Sequence, residues 1–267
     1  MVISIIIPCF NESDNIQKLK NEFLPIVKQL LSIDGDDYHL NNSIEVVFVD
    51  DGSQDKTYQG LTDTFSDQED INLKFLFKRH PVNRGLGAAL RTGFGAATGD
   101  IIVTVDSDGT YRYTEIPKIL SFMTPGVDIV TASPYHPKGR VDGVPPFRLF
   151  LSRGSSLLYR ILLDWRIHTY TSLFRAYRSE VIKKITFDSD GYLAGTELMV
   201  KAMLSGYRVV EYPTVLYRRM YGVSKAKIAR TIYAHLKFQG RLLLHRLGLV
   251  SLVRHQNPIN TGNFEAN

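Results

Sequence analysis

Asp106 and Asp108 stand one residue apart at the end of the apolar run 101–105. Alternate side chains of an extended chain point the same way, so the two carboxylates share a face. Two carboxylates so placed suit a hard cation with oxygen ligands, Mg²⁺ or Mn²⁺, and such a cation can bridge to a diphosphate and neutralise its charge. Asp-x-Asp alone is a common turn pattern, and its weight here comes from its company. Asn11 and Glu12 follow the apolar run 2–7, and Asp50 and Asp51 follow the apolar run 44–49. Each polar cluster closes a β-branched segment of the kind that lies buried in a sheet.

The elements that must position these clusters alternate between strand and helix. Strands are expected at 2–7, 44–49, 73–77, 101–105 and 128–132. After the first strand, Ser13 offers a cap for a helix with apolar positions Ile16, Leu19, Phe23, Val27 and Leu30, divided near Pro25. A short helix through Leu61 and Phe65 and a Gly/Ala-rich one at 86–97 follow. The stretch 135–147 is basic and rich in Pro and Gly, and reads as a loop. Helices are expected at 150–163 and 196–205, a strand at 209–217, and a final amphipathic helix at 227–250. This order predicts an α/β fold: a mostly parallel sheet flanked by helices, with a C-terminal amphipathic helix. Such sheets bind ligands beyond the carboxyl ends of their strands, so the three clusters converge on one crevice.

With 267 residues and a net charge of +5, the chain has room for one large domain and an appendage, and its charge suits an anionic partner or simply solubility. Its one cysteine, Cys9, rules out an internal disulfide and favours a reducing compartment. No base partner for a catalytic thiol is apparent, so Cys9 reads as structural. The run 2–8 is too short for a signal sequence, and no stretch reaches the roughly 20 apolar residues of a membrane span. The expectation is a cytoplasmic protein, soluble or peripheral on the inner face of a membrane. A dehydrogenase would place Gly-x-Gly-x-x-Gly after the first strand, where Pro8-Cys9-Phe10-Asn11 stands. The acidic clusters argue against a nucleic-acid partner.

Five motifs occur in order: Pro8-Cys9-Phe10-Asn11-Glu12, Val49-Asp50-Asp51-Gly52-Ser53, Asn83-Arg84-Gly85, Gly99-Asp100 and Val105-Asp106-Ser107-Asp108-Gly109. Together they resemble the large inverting glycosyltransferase family 2, whose fold is called GT-A. Arg148 to Ser152, Thr171 to Arg175, Glu197 and Arg219 to Lys225 are most similar to its polyprenyl-phosphate, dolichol-phosphate mannose synthase-like branch. The resemblance covers roughly 2–225 and implies a GT-A domain over 1–225; apolar spacing adds a helical appendage over 226–255, and the polar composition of 256–267 predicts a disordered tail.

It also implies roles. Pro8, Phe10, Glu12 and Asp51 would line the nucleoside pocket of a nucleotide-sugar donor (a GDP- or UDP-sugar). Asp106 and Asp108 would hold Mg²⁺ or Mn²⁺. Arg219 and Lys225 would meet the diphosphate or the acceptor phosphate, and Arg148 and Ser152 a lipid-phosphate acceptor. The branch commonly has Asp at 169, Gly at 173 and Arg at 134, where this chain has Thr169, Leu173 and Pro134; Arg140 is the nearest substitute for the missing cation. His168 and Glu197 are candidate bases should the acceptor be a hydroxyl. Transfer to a sugar hydroxyl in glycan assembly stands as the alternative, and a catalytically silent nucleotide-binding module as a second. Residues 227–250 mix apolar side chains with cations. Ile228, Ile232, Leu236, Leu243, Leu247 and Val250 form a stripe that fits packing on the domain, a homodimer seam or peripheral membrane contact.

Overall fold

In the computed structural model, which describes residues 1–31, 43–219 and 228–253, the polar clusters sit where predicted, at the ends of parallel strands. The strands are β1 (Val2–Cys9), β2 (Ser43–Asp50), β3 (Leu73–Arg79), β4 (Ile101–Thr104), β5 (Ile129–Ser133), β6 (Arg140–Asp142), β7 (Arg175–Arg178), β8 (Val209–Pro213) and β9 (Val215–Tyr217). A seven-stranded sheet runs in the order β3-β2-β1-β4-β7-β5-β8. Its β3-β2-β1-β4 half is all parallel. β7 runs antiparallel to both β4 and β5, and β8 parallel to β5.

Both faces of this sheet are covered, which is why its strands are nearly continuous apolar runs. Along β1, Ile3, Ile5, Ile7 and Cys9 face one core with Phe23, Phe48 and Tyr113. Ile6 faces the other, with Leu90, Phe94 and Tyr177. On the first side α1 (Ile16–Lys18) passes through a π turn, Leu19–Phe23, into α2 (Leu24–Leu31). Pro25 lies just past that turn and has no N–H for the helix ladder. α3 (Thr57–Phe65) and α5 (Ile116–Ser121) complete this layer, while α4 (Leu86–Ala96) covers the opposite face. α6 (Pro146–Leu162), α7 (Ser179–Lys184), α8 (Ala194–Leu204) and α9 (Ile228–Arg246) follow. Phe238 and Leu242 of α9 join the second core, so α9 packs on the domain, alongside α6.

Several expectations change. Ser13 opens a short 3₁₀ turn, Ser13–Asn15, without a side-chain cap. The strand expected at 209–217 is divided, and its second part, β9, leaves the main sheet to pair with β6 inside the stretch expected to be a loop. β7 was not anticipated, because Arg175-Ala-Tyr-Arg178 reads as polar. Yet Arg175 is fully buried, bonding Thr131 Oγ1 (3.0 Å) and the carbonyls of Gly195 (2.5 Å) and Tyr170 (2.6 Å). α9 ends at Arg246, because Gly248 turns the chain with φ +76°. The expected domain boundary at 225/226 and the tail 256–267 lie outside the described residues. No described helix is long and apolar enough to cross a membrane.

Candidate active site

The polar side is held mostly by backbone. Asn11 takes a left-handed conformation (φ 51°), which Asn tolerates, and turns the chain at the end of β1. Its N–H donates to Ser53 Oγ (2.8 Å), and its Oδ1 accepts from Gln54 N (2.8 Å), locking the first two strand ends together. Between them Gly52 has φ +72°, and a Cβ there would lie 2.3 Å from the Val82 carbonyl carbon, so only Gly fits. Asp51 is buried, and both its oxygens are taken. Oδ1 accepts from Arg84 N (3.0 Å) and faces His80 Nδ1 (2.7 Å); Oδ2 accepts from Asn83 Nδ2 (2.9 Å) and Gly85 N (2.7 Å). Asp51 therefore anchors the 80–85 loop as well as facing the crevice.

Pro8, Phe10, Glu12, Asp51, Asp106, Asp108, Arg148, Ser152 and Arg219 all line one cavity of about 850 Å³. Within it Arg219 bridges carboxylates: its Nη2 donates to both oxygens of Glu12, and its Nη1 lies 3.5 Å from Asp108 Oδ2. Glu12 also accepts from Asn15 Nδ2 (2.6 Å), yet burial, outweighing Arg219, keeps its carboxyl above the usual range. Burial, with the Asp108 charge beside it, pushes Asp106 up to about 8. Glu12 and Asp108 thus share one guanidinium, while Asp106 beside them is held toward its neutral form.

A second cavity of about 500 Å³ adjoins the first and shares Asp106, Tyr135, Arg148, Ser152, Leu173 and Tyr192 with it. Its remaining walls are largely apolar, with Phe147, Phe150, Leu151 and Leu158 from α6 and Ile228, Ile232 and Leu236 from α9. Arg148 and Ser152, one helical turn apart, stand at the junction. Ser152 Oγ is tied to Thr171 Oγ1 (2.7 Å), whereas Arg148 is exposed.

Residues 4–186 match the family model for glycosyl transferase family 2. The chain belongs to glycosyl transferase family 2. It is 34% identical over 227 residues to the polyprenol monophosphomannose synthase of Mycolicibacterium smegmatis, covering 83% of this chain and 79% of that one. It is 31% identical over 247 residues to the dolichol-phosphate mannosyltransferase of Pyrococcus furiosus, covering 91% of this chain and 64% of that longer protein. Among solved structures it is similar in fold to glucosyl-3-phosphoglycerate synthase from Mycobacterium tuberculosis. The complex with Mn²⁺, UDP and glucosyl-3-phosphoglycerate has a TM-score of 0.63 at 19% identity and covers 94% of this chain and 81% of that one. The complex with Mg²⁺ and UDP has a TM-score of 0.62, also at 19% identity, covering 94% and 80%.

Within this family-2 chain the described residues expected to bind donor line one cavity, but three expected acceptor or base residues line neither cavity. Glu197 lines neither cavity. It is buried, ion-paired with Lys201 (2.6 Å), and accepts from Asp188 N (3.2 Å) and Ser189 N (3.0 Å). Burial raises its carboxyl, but these bonds outweigh that and bring it below the usual range. Its work is to hold the 188–190 loop, whose Asp190 carbonyl receives the Gly87 N–H at 2.7 Å. Arg140 is exposed on β6 and lines neither cavity, so it does not replace the missing cation at 134. His168 faces Glu211, with Nδ1 to Oε2 at 2.7 Å, and also lies outside both cavities. Lys225 falls outside the described residues. Thr169, buried in place of Asp, bonds Ser133 Oγ at 2.8 Å.

Tyr135 and Tyr192 reach both cavities but escaped the sequence reading, since no spacing sets them apart. The Asp106/Asp108 pair fits a divalent cation on the chemistry of its donors: two neighbouring carboxyl groups, of which Asp106 is raised by burial and by the Asp108 charge, so that a cation beside them would offset both causes. Cys9 is buried, and burial pushes its thiol well above the ordinary value, as a structural cysteine requires.

Proposed function

We propose that this chain transfers a sugar, with inversion, from a nucleoside diphosphate sugar to a polyprenyl phosphate. The observation that carries this reading is the junction of the two cavities. The more polar compartment, which holds the carboxylate pair, opens directly into the more apolar one, and Arg148 stands between them. A diphosphate sugar fits the first and an isoprenoid chain the second, which brings the lipid phosphate to the anomeric carbon. The names of the two curated relatives support the same acceptor class.

In this reading Asp106 and Asp108 hold the metal, which supplies charge neutralisation on the leaving nucleoside diphosphate. Arg219 exchanges its grip on Glu12 and Asp108 for the diphosphate once donor enters. Glu12, Phe10, Pro8 and the Asp51-anchored loop shape the nucleoside pocket. Arg148 grips the acceptor phosphate bidentately, with Ser152 beside it. A phosphate is already a nucleophilic anion and needs positioning rather than a base. The placement of Glu197 and His168 outside both cavities agrees with that.

The surface beside the apolar cavity supports a peripheral membrane role for α6 and α9. The stripe read from the sequence of α9 is largely turned outward: Leu236 is 55% exposed, Leu243 47% and Leu247 63%. The side buried against the domain is instead His235, Phe238, Gln239 and Leu242. Phe150, Ile161 and Trp165 add exposed apolar area on and just past α6, among the cations Arg153, Lys237 and Arg241. An anionic lipid surface satisfies both sets of side chains.

The test is transfer to a polyprenyl phosphate compared with the matching free polyprenol, using GDP- and UDP-sugars with Mn²⁺. The reading requires product from the phosphate and none from the alcohol. Transfer to the alcohol, or only to a soluble sugar hydroxyl, would refute the phosphate acceptor.

A further inference from the structure

A second cluster of metal-ligating side chains stands outside both cavities. His136, His168 and Glu211 come from the turn after β5, the segment ahead of β7 and the strand β8. Each offers one donor atom, and those three atoms lie within 4.8 Å of one another. The geometry points to a transition-metal site of the Zn²⁺ type, separate from the Asp106/Asp108 pair.

Three features support it. The donor set is two imidazoles and one carboxylate, which suits Zn²⁺ or a similar borderline ion rather than Mg²⁺. Glu211 is fixed before any metal arrives: its Oε1 accepts from Ser133 Oγ (2.6 Å), His168 N (2.8 Å) and Thr169 N (2.9 Å). Its Oε2 faces His168 Nδ1 at 2.7 Å, and the His136 ring stands edge-on to the His168 ring with centroids 5.3 Å apart. Carboxylates and imidazoles held by surrounding hydrogen bonds are what metal sites use to orient their ligands. The two imidazoles are only partly covered, which leaves the ion a path in from their side, while the Glu211 side chain is buried behind them.

The site would matter to the rest of the molecule through its neighbours. Tyr135, next to His136, and Thr169, next to His168, both line the apolar cavity, and Tyr135 N donates to Thr169 Oγ1 at 3.3 Å. A metal there ties two pieces of the cavity wall to β8. Its role is structural, fixing the acceptor side of the site.

The experiment uses the full chain without a polyhistidine tag, stripped with chelator and desalted. It is titrated with ZnCl₂ by calorimetry in excess Mg²⁺, which competes for paired carboxylates but poorly for imidazole. One Zn²⁺ per chain is expected, equally in the wild type and in Asp108→Asn. His136→Ala should weaken it at least about tenfold. His136 is partly exposed and its replacement removes only a local bond, from Lys138 N to its Nδ1 (3.1 Å), so this variant should fold; thermal unfolding without metal checks that. His168→Gln provides a second variant. Co²⁺ in place of Zn²⁺ should give the visible absorption of a nitrogen-ligated ion, lost in His136→Ala. Absence of Zn²⁺ binding in excess Mg²⁺, binding unchanged in both histidine variants, or binding lost in Asp108→Asn would each overturn the site.

Discussion

On the polar side of the crevice the side chains proposed to shape the donor site are locked by backbone; on the apolar side the one proposed to grip the acceptor phosphate, Arg148, is exposed. Asp51 has both oxygens bonded, Asn11 and Ser53 clamp two strand ends, and Gly52 is the only residue its turn admits. Across the junction Arg148 is exposed, and the cavity is walled by two helices whose outer faces carry uncovered apolar side chains. The difference matches what each side binds in the proposed function. A nucleoside diphosphate is compact and charged, and rewards preorganised polar groups. A polyprenyl chain is long, flexible and apolar, and asks only for area and access.

The sharpest break of this contrast is at the metal pair. Asp108→Asn keeps the Oδ1 acceptor that Thr110 N uses (3.0 Å), so the fold should hold, while turnover falls on the order of a hundredfold or more. Steady-state rates across a Mn²⁺ series check this, and near-normal turnover without metal would contradict it. Next comes Asp51→Asn. Its amide would face donors now satisfied by carboxylate, at a cost of about 1–3 kcal/mol. Both the unfolding midpoint and nucleoside diphosphate affinity should fall, the latter read by calorimetry.

Arg148→Lys should act on the other side and more gently. The acceptor KM should rise several-fold, with donor affinity and thermal stability unchanged, because the side chain is exposed. An equal loss in donor affinity would erase the division between the two compartments. The smallest effect at neutral pH belongs to His235, buried between α9 and α6 with its Nδ1 3.1 Å from Tyr159 Oη. Burial lowers it to about 4, so the unfolded chain binds its proton first as pH falls. Its neutral state is compatible with folding above about 6.5, and stability is lost between there and about 4. His235→Leu should flatten that acid dependence in unfolding scans while leaving nucleoside diphosphate affinity unchanged, since His235 lines only the apolar cavity.

How much could be read from sequence also divides along this line. The placement of the polar clusters was legible because they lie in short motifs at the ends of apolar runs, where alternation and chain direction put them. The acceptor side depends on long-range pairings that no local pattern encodes. Arg175 and Tyr177 look like surface residues until β7 enters the sheet antiparallel and buries them. The acidic Glu197 looks like a base until Lys201, one helical turn on, claims it. In α9 the longer apolar stripe was legible, but the packed side proved to be the one that mixes His235 and Gln239 with Phe238 and Leu242. Periodicity finds an apolar face; it does not tell which neighbour covers it.

The central claim is that the two compartments deliver a sugar and a lipid phosphate to one point. The most direct measurement incubates the protein with radiolabelled nucleotide sugars, Mn²⁺ and polyprenyl phosphate, then partitions the mixture between water and organic solvent. The account predicts that label enters the organic phase, requires both metal and the lipid phosphate, and is lost with Asp108→Asn. Label that stays in the aqueous phase for every GDP- and UDP-sugar, while the same protein glycosylates a soluble hydroxyl acceptor, would contradict it.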